Sequence, residues 1–140
     1  MAREDELTMA ELDRVFRTNV TGVILLEQLL FDQIKSVDGE IINVISTSAL
    51  RGDVAQPIYS SSKWALRGFT QSLQARLKGS KARAISFVPG GFISKMAEKI
   101  GRTIPDPENW MPVEDVSQAL YDVIKAPKTY EVSEIVLNRK

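Results

Sequence analysis

Two residue types are missing from this sequence. It has no cysteine, so disulfides, thiolate nucleophiles and Cys-ligated zinc are excluded. It has no histidine, which excludes imidazole relays and His-ligated metals; no metal site is expected. Net charge is lacking as well: 18 Lys and Arg balance 18 Asp and Glu, and the pI is near 6.3. A nucleic-acid surface would need a basic excess, so no nucleic-acid partner is expected. Long apolar runs are absent too. The longest, Val23 to Leu26, falls far short of a bilayer span. Met1 to Glu6 is charged and carries no apolar core of a secretion signal. The expectation is a cytoplasmic protein with no membrane partner. Any catalysis must use Ser, Thr, Tyr, Lys, Asp, Glu or an organic cofactor.

What is present fits a folded domain, or part of one. The 140 residues are 44% hydrophobic and 26% charged, an ordinary balance for a globular chain. Thr8 and Glu11 form a capping box, with Leu7 and Leu12 at the staple positions. From there Leu12, Phe16, Val20 and Val23 recur at helical spacing, and the pattern predicts one helix running to about Lys35. After a turn at Val37–Gly39, the β-branched run Glu40–Ser46 predicts a buried strand. Pro57 opens a second helix, about 58–78, with Ala65, Phe69, Leu73 and Leu77 as its apolar stripe and Gly79 at its end. A second strand is predicted over 82–88, broken by Pro89-Gly90-Gly91. A short helix at 94–100, a third long helix over 114–125 and a last strand over 131–137 complete the pattern. Strands separated by long helices pair in parallel through right-handed crossovers. The fold class is therefore α/β: a three-stranded, mostly parallel sheet flanked by helices.

One pair of residues carries chemistry. Tyr59 and Lys63 stand four apart near the start of the second helix, on one face and one turn apart. A phenol titrates near ~10 and is a poor acid or base at neutral pH; a neighbouring ammonium would pull that value down. The same spacing also occurs on many helices that do no chemistry. Ser46 ends the first strand, where open parallel sheets place their sites, and its hydroxyl could bond a substrate oxygen. With Thr47 and Ser48 it could equally satisfy local backbone groups. Asn19 is a polar residue among Phe16, Val20 and Val23. It is either an exposed neighbour of the apolar stripe or an amide that breaks the helix ladder and holds a water.

Together these residues resemble the short-chain dehydrogenase/reductases, NAD(P)-dependent oxidoreductases with a Rossmann fold. Tyr59-Ser60-Ser61-Ser62-Lys63 is similar to that family's Tyr-x-x-x-Lys motif. Asn43-Val44-Ile45-Ser46 resembles the strand that leads to its catalytic serine, at the family's spacing from Tyr59. Thr18-Asn19-Val20-Thr21-Gly22 resembles the segment with its catalytic asparagine. Pro89-Gly90-Gly91-Phe92-Ile93-Ser94 resembles the segment that holds the nicotinamide, with Ser94 where threonine is common. The resemblance implies an alcohol–ketone interconversion with a small-molecule substrate. In it Asn19, Ser46, Tyr59 and Lys63 are catalytic, and Tyr59, Lys63, Pro89, Gly90, Phe92 and Ser94 face NAD or NADP. Tyr59 would be the general acid or base, Ser46 would hold the carbonyl oxygen, and Lys63 would lower the Tyr59 pKa and bond the nicotinamide ribose. Asn19 would position a water. Met111–Val116 and Ser133–Leu137 resemble members acting on small hydroxy acids or hydroxy-amino acids.

The departures are Ile45 where a second serine is frequent, Ala49 where glycine is frequent, and the front of the chain. All eight glycines lie at Gly22 or later, so no glycine-rich turn precedes Asn19 to bring a pyrophosphate to a helix N-terminus. By resemblance, residues 1–140 are a single partial domain, the C-terminal half of a doubly wound sheet. The portion before it, on the order of a hundred residues at ~30 per βαβ unit, is absent. Pyrophosphate and adenine sites are then absent as well, and the chain alone is expected to be inactive or weakly active. Glu40–Ser46 is expected to have an unpaired edge. Helices 9–35 and 58–78 correspond to dimer helices in the family, which implies a homo-oligomer. The alternative is a non-catalytic dimerising or interaction fragment.

Overall fold

The computed structural model describes residues 8–99, 101, 103–104 and 106–139. Leu7 of the expected staple and Ile100 of the expected short helix lie outside them, as does Met1–Glu6. The elements are α1 (Met9–Phe16), a π-helical segment (Arg17–Thr21), α2 (Gly22–Ser36), β1 (Glu40–Val44), a 3-10 turn (Thr47–Ala49), α3 (Pro57–Leu77) and β2 (Arg83–Pro89). After them come α4 (Lys95–Lys99), a second 3-10 turn (Pro107–Asn109), α5 (Val113–Lys125) and β3 (Glu134–Leu137). The sheet has the order β1-β2-β3 and both pairings are parallel. All seven residues of β2 are buried, as a central parallel strand requires.

The first expected helix is two helices. Thr8 caps α1 by accepting the Glu11 N–H at 3.2 Å, but the ladder widens at Arg17–Thr21. There the Gly22 N–H reaches back five residues to the Arg17 carbonyl. A side chain at position 22 would put its Cβ 3.1 Å from that oxygen, so glycine suits the wide turn. Thr18 adds to the loosening by bonding the Arg14 carbonyl through its hydroxyl at 3.0 Å. The stripe on α3 also differs from the one expected. Ala65 is exposed, and Ser60, Ser62, Leu66, Thr70, Leu73 and Leu77 are the buried positions. Three small polar residues, Ser60, Ser62 and Thr70, hid this face from a count of apolar spacing. The last strand starts at Glu134 rather than 131, since the pairing with β2 begins at Ser86↔Glu134.

The sheet face under α3 reads Ile41-Asn43-Ile45 on β1 and Ala84-Ser86-Val88 on β2. Its middle row is polar, and it divides the core in two. On one side Phe31, Ile41, Leu73, Leu77, Ala82 and Ala84 pack together; on the other, Ile45, Ala49, Leu66 and Val88. Phe69 touches both. In the row itself Asn43 donates to Thr70 Oγ1 at 2.9 Å, and Thr70 donates to the Leu66 carbonyl at 2.8 Å. Glu27 of α2, only 7% exposed, lies near Asn43, whose amide acts on its titration. Among the described residues its Oε2 and the Ser86 hydroxyl have no partner. Elsewhere Arg67 of α3 grips Glu134 of β3 with two bonds of 2.7 and 2.9 Å. Arg83 pairs with Glu40 at 3.0 Å and donates to the Val123 and Ala126 carbonyls at the end of α5.

The Glu27 carboxyl titrates above its ordinary value near 4.5 because burial disfavours its charge, with the Asn43 amide opposing. The folded chain therefore holds this proton more tightly than the unfolded chain. The resulting stability is complete below the unfolded value and declines as pH rises through the folded one. Glu27→Gln keeps the shape without the charge. It is expected to be more stable than the parent at neutral pH by on the order of 1 kcal/mol, with the difference closing in acid. Urea unfolding at both pH values measures this, and a less stable variant at neutral pH contradicts it.

Candidate active site

Parallel pairing brings the carboxyl ends of β1 and β2 side by side, Val44 opposite Phe87. The chain leaves β1 through Ile45, whose N–H still bonds the Phe87 carbonyl at 2.7 Å, and Ser46 follows in extended backbone. Ser46 caps the 3-10 turn: its Oγ accepts the Ser48 N–H at 3.1 Å and lies 3.3 Å from Ser48 Oγ. The turn is fixed to α3 by Ser60, which donates to the Ser48 carbonyl at 2.7 Å, and by Ala49, which is fully buried. Pro57 sits in the first turn of α3, where its missing N–H costs no helix bond. Tyr59 and Lys63 stand on the same helix, so the Ser60 tether fixes the start of α3, and Tyr59 with it, against the turn that carries Ser46.

The four expected catalytic residues meet in one region through α3. Tyr59 lies near Ser46. Lys63 Nζ stands 5.7 Å from the Tyr59 ring centroid. Asn19 Nδ2 donates to the Ser62 hydroxyl at 3.0 Å, and Ser62 donates to the Tyr59 carbonyl at 2.7 Å. The Asn19 amide is therefore anchored on a protein hydroxyl, at the centre of the π segment. Ser60 and Ser62 are the residues that composition and spacing did not single out. Their one signal is that both are small and polar within a motif whose ends were already marked.

The electrostatics differ from the expectation in one respect. The Tyr59 pKa is raised, not lowered: burial of the phenol outweighs the influence of the nearby Ser46 hydroxyl, which acts in the opposite direction. Lys63 is itself partly buried, which lowers its pKa, and its ammonium is turned to the Val44 carbonyl at 2.9 Å. The phenol is thus neutral at neutral pH and equipped to donate a proton. A carbonyl oxygen lying against it would have the Ser46 hydroxyl as a second donor.

The turn after β2 forms the far wall. Phe92 pairs with Met111 in a parallel bridge, and the Ile93 N–H bonds the Met111 carbonyl at 2.9 Å. Trp110 lies against Gly91, where a Cβ would come within 2.8 Å of the indole, and Arg139 covers the ring at 4.9 Å. Gly90 donates to the Leu137 carbonyl at 2.8 Å. Ser94 accepts the Met96 N–H in a long bond of 3.4 Å at the start of α4. Pro89, Gly90 and Phe92 thus lie at the same end of the sheet as Ser46, and the Ser94 hydroxyl is engaged by its own helix.

The family model for short chain dehydrogenases matches residues 1–105. The diacetyl reductase of Staphylococcus aureus, described as (S)-acetoin forming, is 29% identical over 138 residues, which are 94% of this chain and 53% of that protein. A 3-alpha-(or 20-beta)-hydroxysteroid dehydrogenase of Mycobacterium tuberculosis is 31% identical over 134 residues, 95% of this chain and 46% of that one. Among solved structures, an alcohol dehydrogenase from Thermococcus sibiricus complexed with 5-hydroxy-NADP superposes with a TM-score of 0.84 at 22% identity, covering 97% of this chain and 57% of that one. The serine dehydrogenase of Escherichia coli gives 0.79 at 20% identity, with 98% and 57% covered. The chain spans about half the length of the curated relatives it matches.

Gly91→Ala is expected to displace Trp110, because the added methyl would meet the ring atoms. The cost should be about 1–3 kcal/mol, as for other overpacked sites. In a Trp64→Phe background, thermal unfolding and Trp110 fluorescence report the change; an unaltered melting temperature and emission would contradict the contact.

Proposed function

Since the chain belongs to the short chain dehydrogenase family, we propose that it provides the acid–base half of an oxidoreductase that interconverts an alcohol and a ketone. The observation that carries this reading is the neutral phenol of Tyr59 near Ser46 at the end of β1, with the Lys63 ammonium 5.7 Å from the centre of its ring. In the reducing direction the Tyr59 proton moves to the carbonyl oxygen as that oxygen gains charge, while the Ser46 hydroxyl donates to the same oxygen. In the oxidising direction the phenolate takes the proton back. Lys63 steadies the phenolate, and Asn19, anchored on Ser62, holds the π segment against α3.

NAD or NADP, when bound, supplies or accepts the hydride. The donor set suits the nicotinamide end: the Lys63 ammonium has donors beyond the one given to Val44, enough for ribose hydroxyls. The backbone of Pro89, Gly90 and Phe92 would form the wall, with Ser94 at its end. We place the adenine and pyrophosphate contacts outside this chain. As substrate we favour a small hydroxy acid, hydroxy-amino acid or hydroxyketone. The C-terminal segments support this, as do the names of relatives that act on diacetyl and on serine.

A reconstitution tests the reading. The chain is mixed with a polypeptide spanning the part of the Staphylococcus aureus diacetyl reductase that it does not match, and NADH and NADPH oxidation is followed with a panel of small ketones. Turnover is expected only from the mixture. Tyr59→Phe should lower it by ~10²–10⁴-fold, the usual contribution of a general acid. Turnover that survives this substitution sinks the assignment.

A second reading is a self-associating module, favoured by the apolar flank of α2. Leu25, Leu26 and Leu29 are exposed there, Leu29 at 83%, and Trp64 is exposed on α3. We propose that the faces of residues 9–35 and 58–78 pair two copies of the chain. Leu29→Lys should turn a dimer into a monomer by light scattering while leaving the melting temperature of the monomer unchanged. A parent chain that is already monomeric at micromolar concentration removes the proposal.

A further inference from the structure

β3 does not start level with β2. β2 begins at Arg83, and β3 joins it only at Ser86. Beside the first residues of β2 a cleft of about 180 Å³ opens between the end of α3 and the segment Lys128–Glu131. It has room for about six waters at ~30 Å³ each. This is the amino end of the sheet, opposite the end that carries Ser46. The walls are braced. Gln74 Nε2 donates to the Ala84 carbonyl at 3.2 Å and to the Ser133 carbonyl at 2.7 Å, which ties α3 to the point where the ladder begins. α3 itself stops in a tight turn. Lys78 (φ −55°, ψ 131°) and Gly79 (φ +85°) are its middle residues, and the Ser80 N–H bonds the Leu77 carbonyl at 3.0 Å. These are the angles of a type II turn, whose third residue favours glycine.

Four cations line this cleft, Lys78, Lys81, Arg83 and Lys128, against one carboxylate, Glu131. The chain as a whole has no net charge, so the excess is local. Glu40 does not cancel it: its Oε1 faces Arg83 Nη2 at 3.0 Å and Lys128 Nζ at 3.5 Å, one anion between two cations. Lys78 and Lys81 make no ion pair among the described residues. Lys78 also suits the carboxyl end of α3, where a cation meets the helix dipole, but Lys81 and Lys128 lie beyond that end. Arg83 is only 6% exposed. Its contacts with Glu40 and with the Val123 and Ala126 carbonyls all leave from Nη2. Its Nε and Nη1 have no partner among the described residues. A buried charge answered on one nitrogen alone is unfavourable, and salt screens it less than a surface charge. We propose that the cleft is a binding site for a phosphate-type oxyanion. The Lys78 and Lys81 ammonium groups hold the oxygens through charge-assisted bonds, and Arg83 adds its positive field from the floor. The volume admits one tetrahedral anion with a few waters. The site shares no residue with the region around Tyr59 and does not rest on the oxidoreductase reading.

The full chain, isotopically labelled, is titrated with inorganic phosphate while sodium chloride is lowered to hold the ionic strength constant. Backbone NMR shifts should saturate with a dissociation constant of about 1 mM or tighter. They should centre on residues 78–84 and 128–131. Lys78 and Lys81 are exposed, so the double variant Lys78→Gln, Lys81→Gln should keep the fold. It should weaken binding about tenfold or more, the loss expected for two bonds from charged donors. Acetate, with two oxygens and a single charge, should bind several-fold more weakly than phosphate. Phenyl phosphate is the second probe: tighter binding than inorganic phosphate assigns the site to the head group of a phosphate ester, and weaker binding assigns it to the free ion. Either order supports the proposal. Shifts that do not saturate overturn it, as do shifts spread over the lysines of the whole surface. Undiminished binding by the double variant, or acetate binding as tight as phosphate, overturns it too. None of these readouts involves turnover, so the outcome is separate from that of the reconstitution.

Discussion

The parallel pairing of β1 with β2 is the constraint from which the rest follows. Its register sets Val44 opposite Phe87, so Ser46 and the turn at Pro89 emerge together at one end of the sheet. Its burial fixes where α3 can lie, because Ile41, Ile45, Ala84 and Val88 need cover that Leu66, Leu73 and Leu77 supply. Once α3 is seated on that face, its first turns necessarily overhang the end of β1. Tyr59 then reaches Ser46 without any long loop to guide it. A one-residue slip in the ladder would exchange the two faces of β1 and remove Asn43 from Thr70 and Glu27 at the same stroke.

The site runs on a balance between burial and hydrogen bonding rather than on charge attraction alone. Tyr59 and Lys63 are both shifted toward their neutral forms by partial burial. Such a pair favours proton donation from the phenol over its standing as a phenolate. The polar row beneath α3 shows the same balance deeper in the fold: Asn43 and Thr70 are bonded, while Glu27 keeps an oxygen without a partner among the described residues. Serines make most of the connections around the site. Ser46, Ser48, Ser60 and Ser62 join the turn, the helix and the π segment through bonds of 2.7–3.3 Å.

The layer order, the parallel sense and the placing of Ser46, Tyr59 and Lys63 were legible in the sequence, because each rests on a local signal. Apolar runs bounded by Gly and Pro mark β1 and β2, and a fixed spacing marks the Tyr–Lys pair. What was not legible depends on neighbours far along the chain. The buried side of α3 is set by Ser62 and Thr70 meeting Asn19 and Asn43, so a stripe drawn through Ala65 missed it. The direction of the Tyr59 shift depends on how much of the ring is covered, which spacing does not encode. The Lys63 contact depends on an edge carbonyl, and a backbone group carries no sequence mark. The break at Arg17–Thr21 had only Asn19 as its sign.

That break has a geometric consequence of its own. An α-helix advances about 100° per residue, and the wide turn closed by Gly22 and Arg17 takes up one residue more than a regular turn would. Rotational phase is therefore reset between the two flanking helices. It lets α1 lie against α3 while Phe31 of α2 reaches the core. Deleting a single residue there would restore one unbroken rod, and the half-buried flank of Leu12, Val15 and Phe16 would swing round toward solvent. Length at this point is a gear tooth: the count of residues, more than their identity, decides which way α1 looks.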